Sequence, residues 1–355
     1  MIAVVYGTTG ELIKLSPVLR RLRDRGTAWL NVTTAQQVLQ LPALLDMLEL
    51  KQPDLWLARG RNGRDLAANK DIPPWLLSAV RGAVRARRQL AQAQLVLVHG
   101  DTMTTVFGAL LGRTLRRPVA HIEAGVRTWD IRHPFPEELN RRLVSSLAQI
   151  HYAPGPAAAA NLRRGSIVYT GVNTIFDAVL ESPRVELVSP VEPPFGIVSL
   201  HRYELLSDRD LLAESLRVLA RYAEERLPLL HVDHPVTVAA IERYGLQGLF
   251  GGRFRRIERL GFFDFVELLR RSALCVTDSG GGQLESWLLD VPCLVHRKVV
   301  EQLDGVGENV VVSGFDLAAL ERFLAAPEQH RRRGALPQTS PSDLIVADLA
   351  ARGTI

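Results

Sequence analysis

MIAVVYGTTGELIKL, residues 1–15, passes from an apolar run through a glycine-containing turn into amphipathic sequence, and so reads as a buried strand feeding a helix. The same alternation continues along the chain. In the first half, strands are expected at 2–6, 29–33, 95–99, 119–123 and 150–153, with helices between them. In the second half they are expected at 195–200, 229–232, 255–259, 274–277 and 293–296, separated by helical stretches such as 209–224 and 263–271. Strands that alternate with helices imply βαβ units, hence parallel sheets covered by helices on both faces. With 355 residues and 47% hydrophobic content the chain can fill two cores, so the expected fold class is α/β, with two consecutive Rossmann-like, doubly wound domains. Residues 181–194, ESPRVELVSPVEPP, are proline-rich and suit a crossing between the halves, with the boundary anywhere from about 165 to 194.

Composition narrows the function classes. The net charge of +5 comes from many arginines and few lysines dispersed among acids, unlike the clustered basic face that nucleic acid favours. No nucleic-acid partner is expected, and the surplus suits a small anionic substrate. No apolar run approaches the roughly 18 residues of a membrane span, and the N-terminus lacks the order of a secretion signal. The expectation is a cytoplasmic protein without membrane contact. Cys275 and Cys293 lie in the apolar runs ALCV and VPCLV and read as buried strand residues rather than a disulfide or metal site. HVDHP, residues 231–235, has neither zincin spacing nor partner cysteines, so His231, Asp233 and His234 read as non-metal and no metal is expected. Residues 59–71, with several Arg, Gly and Asn, read as an ordinary exposed loop in preference to a lid.

Ligands of open α/β sheets bind beyond the carboxyl ends of the strands, so polar residues directly after apolar runs are the first candidates. HGDTMTT, residues 99–105, offers Asp101, with Thr102, Thr104 and Thr105 opening the next helix; taken alone, Asp101 reads as an N-cap. HIEAGVRT, residues 121–128, ends a strand at Glu123 beside Gly125 and Arg127, and HPFPEELNRR, residues 133–142, brings Glu137 and Glu138 to a helix start. Carboxylates crowded into a desolvated cleft repel one another and have raised pKa values, which suits acid–base work near neutral pH. One of Glu137 and Glu138 is better explained by the helix dipole. VSLHRYE, residues 198–204, places His201, Arg202 and Glu204 after a strand, and a His–Arg pair suits a diphosphate. In LCVTDSGGGQLES, residues 274–286, a strand runs through glycines into a helix whose first amides favour phosphate, with Glu285 within reach of ribose hydroxyls.

Taken together and in chain order, GTTGELIKLSPV, HGDTMTTVFGALLG, PVAHIEAGVRT, HPFPEELNRR, HRYE, LGFFDFVELL, TDSGGGQLES and DGVGENVVV resemble the UDP-N-acetylglucosamine 2-epimerase family over most of the chain. The resemblance implies two domains facing a central cleft, as in many sugar-nucleotide glycosyltransferases (GT-B-type), with a C-terminal helix returning to the first. The expected domains are 1–170 with the catalytic carboxylates, 171–335 for UDP, and 336–355 packing back. It implies a reaction without cofactor, in which a carboxylate takes the proton from the sugar's second carbon while UDP leaves the first. The resulting acetamidoglucal re-adds UDP after reprotonation on the other face. By position, Asp101, Glu123 and Glu137 match the family's catalytic carboxylates, acid and base unassigned, and His201 a histidine that assists departure and return of UDP. Lys14 and Glu11 match positions in the first glycine loop, Lys14 as an expected substrate contact; Ser279, Gly280 and Gly281 match the phosphate-binding turn, and Glu285 the ribose ligand. The implied partner is UDP or a UDP-sugar, the implied assembly a homodimer, and the implied destination polysaccharide or another glycosylated product.

The departures from the family pattern carry information. Thr8-Thr9-Gly10-Glu11 stands where members usually have GTRPE, Glu301-Gln302-Leu303-Asp304 stands for an ERPE-like segment, and Leu205 replaces the asparagine after HRxE. Two lost cationic contacts of about 1.5–3 kcal/mol each weaken binding of a dianion unless other groups replace them. Some bacterial members are activated by substrate through a TAQH-type segment; here Gln37 holds the histidine position, and such activation is not expected. The leading expectation is interconversion of UDP-N-acetylglucosamine and UDP-N-acetylmannosamine. The alternatives are a hydrolysing 2-epimerase, a glycosyltransferase, and a repurposed nucleotide-binding protein.

Overall fold

The computed structural model describes residues 1–58, 71–129, 136–187, 189–300 and 303–355. The loop reading at 59–71 falls outside these residues except for Asp71, as do His133, Pro134 and Phe135 of the carboxylate segment and Glu301 and Gln302 of the ERPE-like position. The chain forms two compact units, Met1–Ala178 with Pro337–Ile355, and Val179–Leu336.

In the first unit, β1 (Ile2–Tyr6), β2 (Trp29–Thr33), β3 (Leu55–Trp56), β4 (Leu95–His99), β5 (Val119–Ile122), β6 (Ile150–Ala153) and β7 (Ser166–Tyr169) form one parallel sheet in the order β3-β2-β1-β4-β5-β6-β7. In the second, β8 (Gly196–Ser199), β9 (Leu229–Val232), β10 (Phe254–Ile257), β11 (Leu274–Thr277), β12 (Cys293–Val295) and β13 (Val310–Val312) run β10-β9-β8-β11-β12-β13, again parallel. Their central strands are continuous apolar runs because helices cover both faces. Cys275 and Cys293 are register partners on β11 and β12, fully buried.

The order reverses between β1 and β4 in the first sheet and between β8 and β11 in the second. At such a point the connecting helices leave in opposite directions and open a crevice beyond the strand ends. Gly7 and Gly100, then Leu200 and Asp278, lie just past those ends.

The helix Thr9–Asp24 shows how the strand ends are held. Thr8 caps it in a capping box with Glu11, and Leu12, Leu15, Val18, Leu19 and Leu22, at helical spacing, are buried. Gly7 precedes the cap because a side chain there has no room: a Cβ would lie 2.2 Å from Thr104 Oγ1. The C-terminal helix Pro341–Ala351 joins the first unit and buries Ile345, Val346 and Leu349. Full burial of such side chains stabilises by about 1.5–3 kcal/mol apiece. Arg21 of Thr9–Asp24 pairs with Asp343, and Tyr152 of β6 donates to Asp348 at 2.9 Å.

Candidate active site

In the first unit, the loop after β1 and the loop after β4 are joined through one buried carboxylate. Glu11 Oε2 accepts from the amides of Gly7 (2.8 Å) and Thr8 (2.9 Å) and from the Thr8 hydroxyl, while Oε1 accepts from Thr102 (2.6 Å) and Thr105 (3.1 Å). Burial pushes its carboxyl up against these bonds. Glu11 is a clamp between the two loops that flank the switch point.

Asp101 is not the N-cap that it resembles alone. Thr102 caps the helix Met103–Thr114, sharing a capping box with Thr105, and Thr104 is buried against the Thr34 hydroxyl at 2.6 Å. The Asp101 carboxylate instead meets Arg141, with Nη2 2.5 Å from Oδ2. Asn140 donates to the Asp101 carbonyl at 2.8 Å, and His121 Nε2 lies 2.7 Å from the Gly100 carbonyl just before it.

Glu123 sits one residue beyond β5 in a left-handed backbone conformation, φ +66°, which a non-glycine residue adopts at some cost. Its Oε2 accepts from Lys14 Nζ at 2.6 Å and from Asn173 Nδ2 at 2.7 Å, with His99 Nε2 at 3.7 Å. Burial alone would raise its pKa, but the Lys14 charge, His99 and these hydrogen bonds outweigh burial and hold it well below the usual carboxylate range. Lys14 is the cation responsible, because burial pushes the His99 imidazole down to about 3 and leaves it neutral. The expected upward shift from crowding therefore fails for Glu123: it has its own counter-ion. Lys14, read in the sequence as a substrate contact, here faces Glu123.

The helix Glu137–Leu147 separates the two glutamates at its start. Glu138 is fully buried and accepts from the Thr128 amide (3.0 Å), the Thr128 hydroxyl (3.2 Å) and Arg142 Nε (2.9 Å). Glu137, in the helix's first position, is only partly buried. Glu138 is the structural member of the pair.

In the second unit, Asp278 organises the strand ends. Fully buried just past β11, it accepts from the amides of His201 (2.9 and 2.8 Å) and Arg202 (2.8 Å) after β8. Burial pushes its carboxyl up to about 6 despite those bonds. His201 stacks on His234 with ring centroids 5.0 Å apart. Burial, then the charges of Arg202, Arg259 and Arg297, push the His201 imidazole down to about 4. The Nε of Arg202 is buried with no hydrogen-bond partner among the described residues. His231 and Asp233 do other work: His231 Nδ1 lies 3.0 Å from Asp233, whose carboxylate takes a fork of bonds from Arg256 at 2.7–3.1 Å.

Ser279 caps the helix Gly280–Leu288 through Gly282 N, and Gly280 and Gly281 stand in its first turn, where amides have no acceptor within the helix. The glycine required by packing is Gly282, where a Cβ would lie 2.9 Å from Thr277 Oγ1. Glu285 lies in the same helix, buried. First-turn amides at a helix N-terminus, one residue on from Asp278, whose carboxylate feels the charges of Arg202 and Arg297, form a setting for a phosphate group.

Two departures from the family pattern meet in space. The Thr9 amide and hydroxyl both donate to Gln37 Oε1, at 2.7 and 2.8 Å. Leu205, the third, is a fully buried core residue of the second unit.

Two parallel doubly wound sheets, each with polar residues gathered at its switch point, define an α/β protein of the class that binds ligands beyond its strand ends. The family model described as UDP-N-acetylglucosamine 2-epimerase matches residues 41–332. The Bacillus subtilis UDP-N-acetylglucosamine 2-epimerase is 32% identical over 353 residues, covering 93% of this chain and 89% of that protein. Among solved structures, UDP-GlcNAc 2-epimerase from Neisseria meningitidis bound to UDP-GlcNAc aligns with a TM-score of 0.80 at 26% identity, covering 99% of each chain. The fold is also that of the Methanocaldococcus jannaschii enzyme in complex with UDP-GlcNAc and UDP, with a TM-score of 0.82 at 24% identity and 99% coverage of each chain. The chain belongs to the UDP-N-acetylglucosamine 2-epimerase family, a family of isomerases.

Proposed function

We propose that this chain interconverts UDP-N-acetylglucosamine and UDP-N-acetylmannosamine, with Asp101, Glu123, Glu137 and His201 at the reacting atoms. Family membership supports the reaction, and the retained carboxylates, each held at a strand or helix end, support catalysis rather than binding alone. As one carboxylate takes the proton from the second carbon, that bonding pair forms the double bond to the first carbon and the C–O pair leaves with UDP. Return of a proton to the opposite face and re-addition of UDP complete the exchange.

The surroundings divide the labour. Glu123, held ionised by Lys14, is a poor proton acceptor near neutral pH and suits stabilisation of positive charge developing on the sugar. Asp101 and Glu137 are left as the proton-transfer pair. In the second unit, Ser279, Gly280, Gly281 and Arg202 hold the diphosphate, Glu285 the ribose, and His201 attends the departing UDP oxygen. Arg297, buried at the end of β12, supplies one of the cations that the departures elsewhere remove.

The broader setting follows the same reading: a cytoplasmic homodimer that supplies a mannosamine-configured donor for polysaccharide assembly. Among the described residues no helix is long and apolar enough to cross a membrane. Leu77, Val80 and Val84 are exposed on the helix Ile72–Arg85, a stripe that a second copy would cover. The test is product analysis by anion-exchange chromatography after incubation with UDP-N-acetylglucosamine. A mixture of the two UDP-sugars supports the proposal, free UDP with free sugar replaces it with the hydrolysing reaction, and unchanged substrate removes it.

A further inference from the structure

We infer that Arg141 is a positioning residue for Asp101, setting the direction of its carboxylate for proton transfer. This deepens, and rests on, the reading of Asp101 as a proton-transfer group.

Asp101 follows Gly100, whose φ of +72° turns the chain sharply at the end of β4, and its side chain has no capping duty because Thr102 takes it. A carboxylate on such a turn has no orientation of its own. Two residues in the first turns of the helix Glu137–Leu147 supply it: Asn140 fixes the Asp101 backbone through the carbonyl, and Arg141 meets the carboxylate at 2.5 Å. Arg141 is itself anchored. Its side chain is only 10% exposed, and Nη1 lies 3.9 Å from the fully buried carboxylate of Glu138. Glu138 is fixed in turn by the Thr128 amide and by Arg142.

The helical spacing adds a second consequence. Glu137 and Arg141 are four residues apart in the helix Glu137–Leu147, a spacing that puts them on one face, so the guanidinium that meets Asp101 projects from the same helix face as the other member of the proposed proton-transfer pair. Arg141 lies inside the segment HPFPEELNRR, where the sequence alone gave it no role.

The test is a double-substitution cycle on the full chain. Wild type, Arg141→Met, Arg141→Lys, Asp101→Asn and Arg141→Met with Asp101→Asn are compared by deuterium exchange at the sugar's second carbon, with UDP binding by calorimetry and thermal melting as controls of the fold. Misplacing a catalytic group by an ångström costs about a hundredfold in rate, so Arg141→Met should lose roughly that in kcat, with KM and UDP affinity changed by less than about threefold. The combined variant should be no slower than Asp101→Asn alone, because Arg141 acts through Asp101. Arg141→Lys, which keeps charge but not the planar fork, should be at least about tenfold slower than wild type and secures the test if the Met variant folds poorly. Wild-type rates in Arg141→Lys or Arg141→Met overturn the inference, as do multiplicative losses in the combined variant. Absence of exchange in wild type fails the proposed reaction itself, and full activity of Asp101→Asn fails the role of Asp101; both are read from arms that leave Arg141 intact.

Discussion

Glu137 and Glu138 are adjacent, identical in chemistry and opposite in predicted consequence. Replacing Glu138 by alanine takes the acceptor from the Thr128 amide and hydroxyl and from Arg142 Nε, in a place with no exposure. Loss of a buried acceptor for a backbone amide costs about 1–3 kcal/mol, and the half-exposed Arg142 pair adds up to about 1 kcal/mol. With the space left by the side chain, the change should destabilise the first unit by about 3 kcal/mol. For a unit of roughly 200 residues this lowers Tm by about 6–12 °C. Glu137→Gln removes one carboxylate from a helix's first turn, a dipole interaction of about 0.3–1 kcal/mol, and should lower Tm by no more than about 4 °C while abolishing turnover. Differential scanning calorimetry with a parallel activity assay reads both. A Glu138→Ala protein that melts like wild type, or a Glu137→Gln protein that turns over like it, refutes the division of roles.

Three further outcomes follow from the same structure. Burial holds His99 at about 3 and His121, His201, His234 and His296 at about 4, all below the free value of 6.5, so the unfolded chain takes up protons before the folded one does. Their contribution is complete above pH 6.5 and is lost as pH falls toward 4, at up to about 1.4 kcal/mol per pH unit for each fully buried group; the urea midpoint should drop steadily over that window. Asp278, raised from 3.8 to about 6, acts in the opposite sense, its stabilisation present at low pH and lost as pH rises through 6. Asp278→Asn should therefore steepen the acid loss, and an unchanged pH profile contradicts the buried placement. Gly7→Ala forces a methyl to 2.2 Å from Thr104 Oγ1, and should cost about 1–3 kcal/mol in a urea melt. Wild-type stability there would show that the two loops are looser than drawn.

The fold was legible because its signal is periodic. The runs IAVVY, LVLVH and LCVT became β1, β4 and β11, with the turns of the switch points directly after them. The strands without an assignment were those whose signal is weak. Leu55–Trp56 is two residues long, Ser166–Tyr169 is half exposed, and Val310–Val312 was absorbed into a motif. Residues 255–259 were read as a strand that actually runs Phe254–Ile257, which leaves Arg259 beyond the strand end. The candidate site residues stand in motifs, but the contacts that hold them could not be read there. Arg141, Asn173 and Asp278 act through contacts 40, 50 and 77 residues away in sequence, which no local pattern encodes. The i, i+4 spacing of Glu137 and Arg141 was the one local hint. Thr9 and Gln37, met as separate departures, are the two ends of one hydrogen-bonded contact.

The most direct test of the central claim is a proton NMR time course with UDP-N-acetylglucosamine in deuterated water, following the signal at the sugar's second carbon. Elimination and re-addition of UDP require that proton to exchange with solvent as the manno isomer appears, and that is the predicted result. Bound substrate whose second-carbon proton stays unexchanged would contradict the account at its centre.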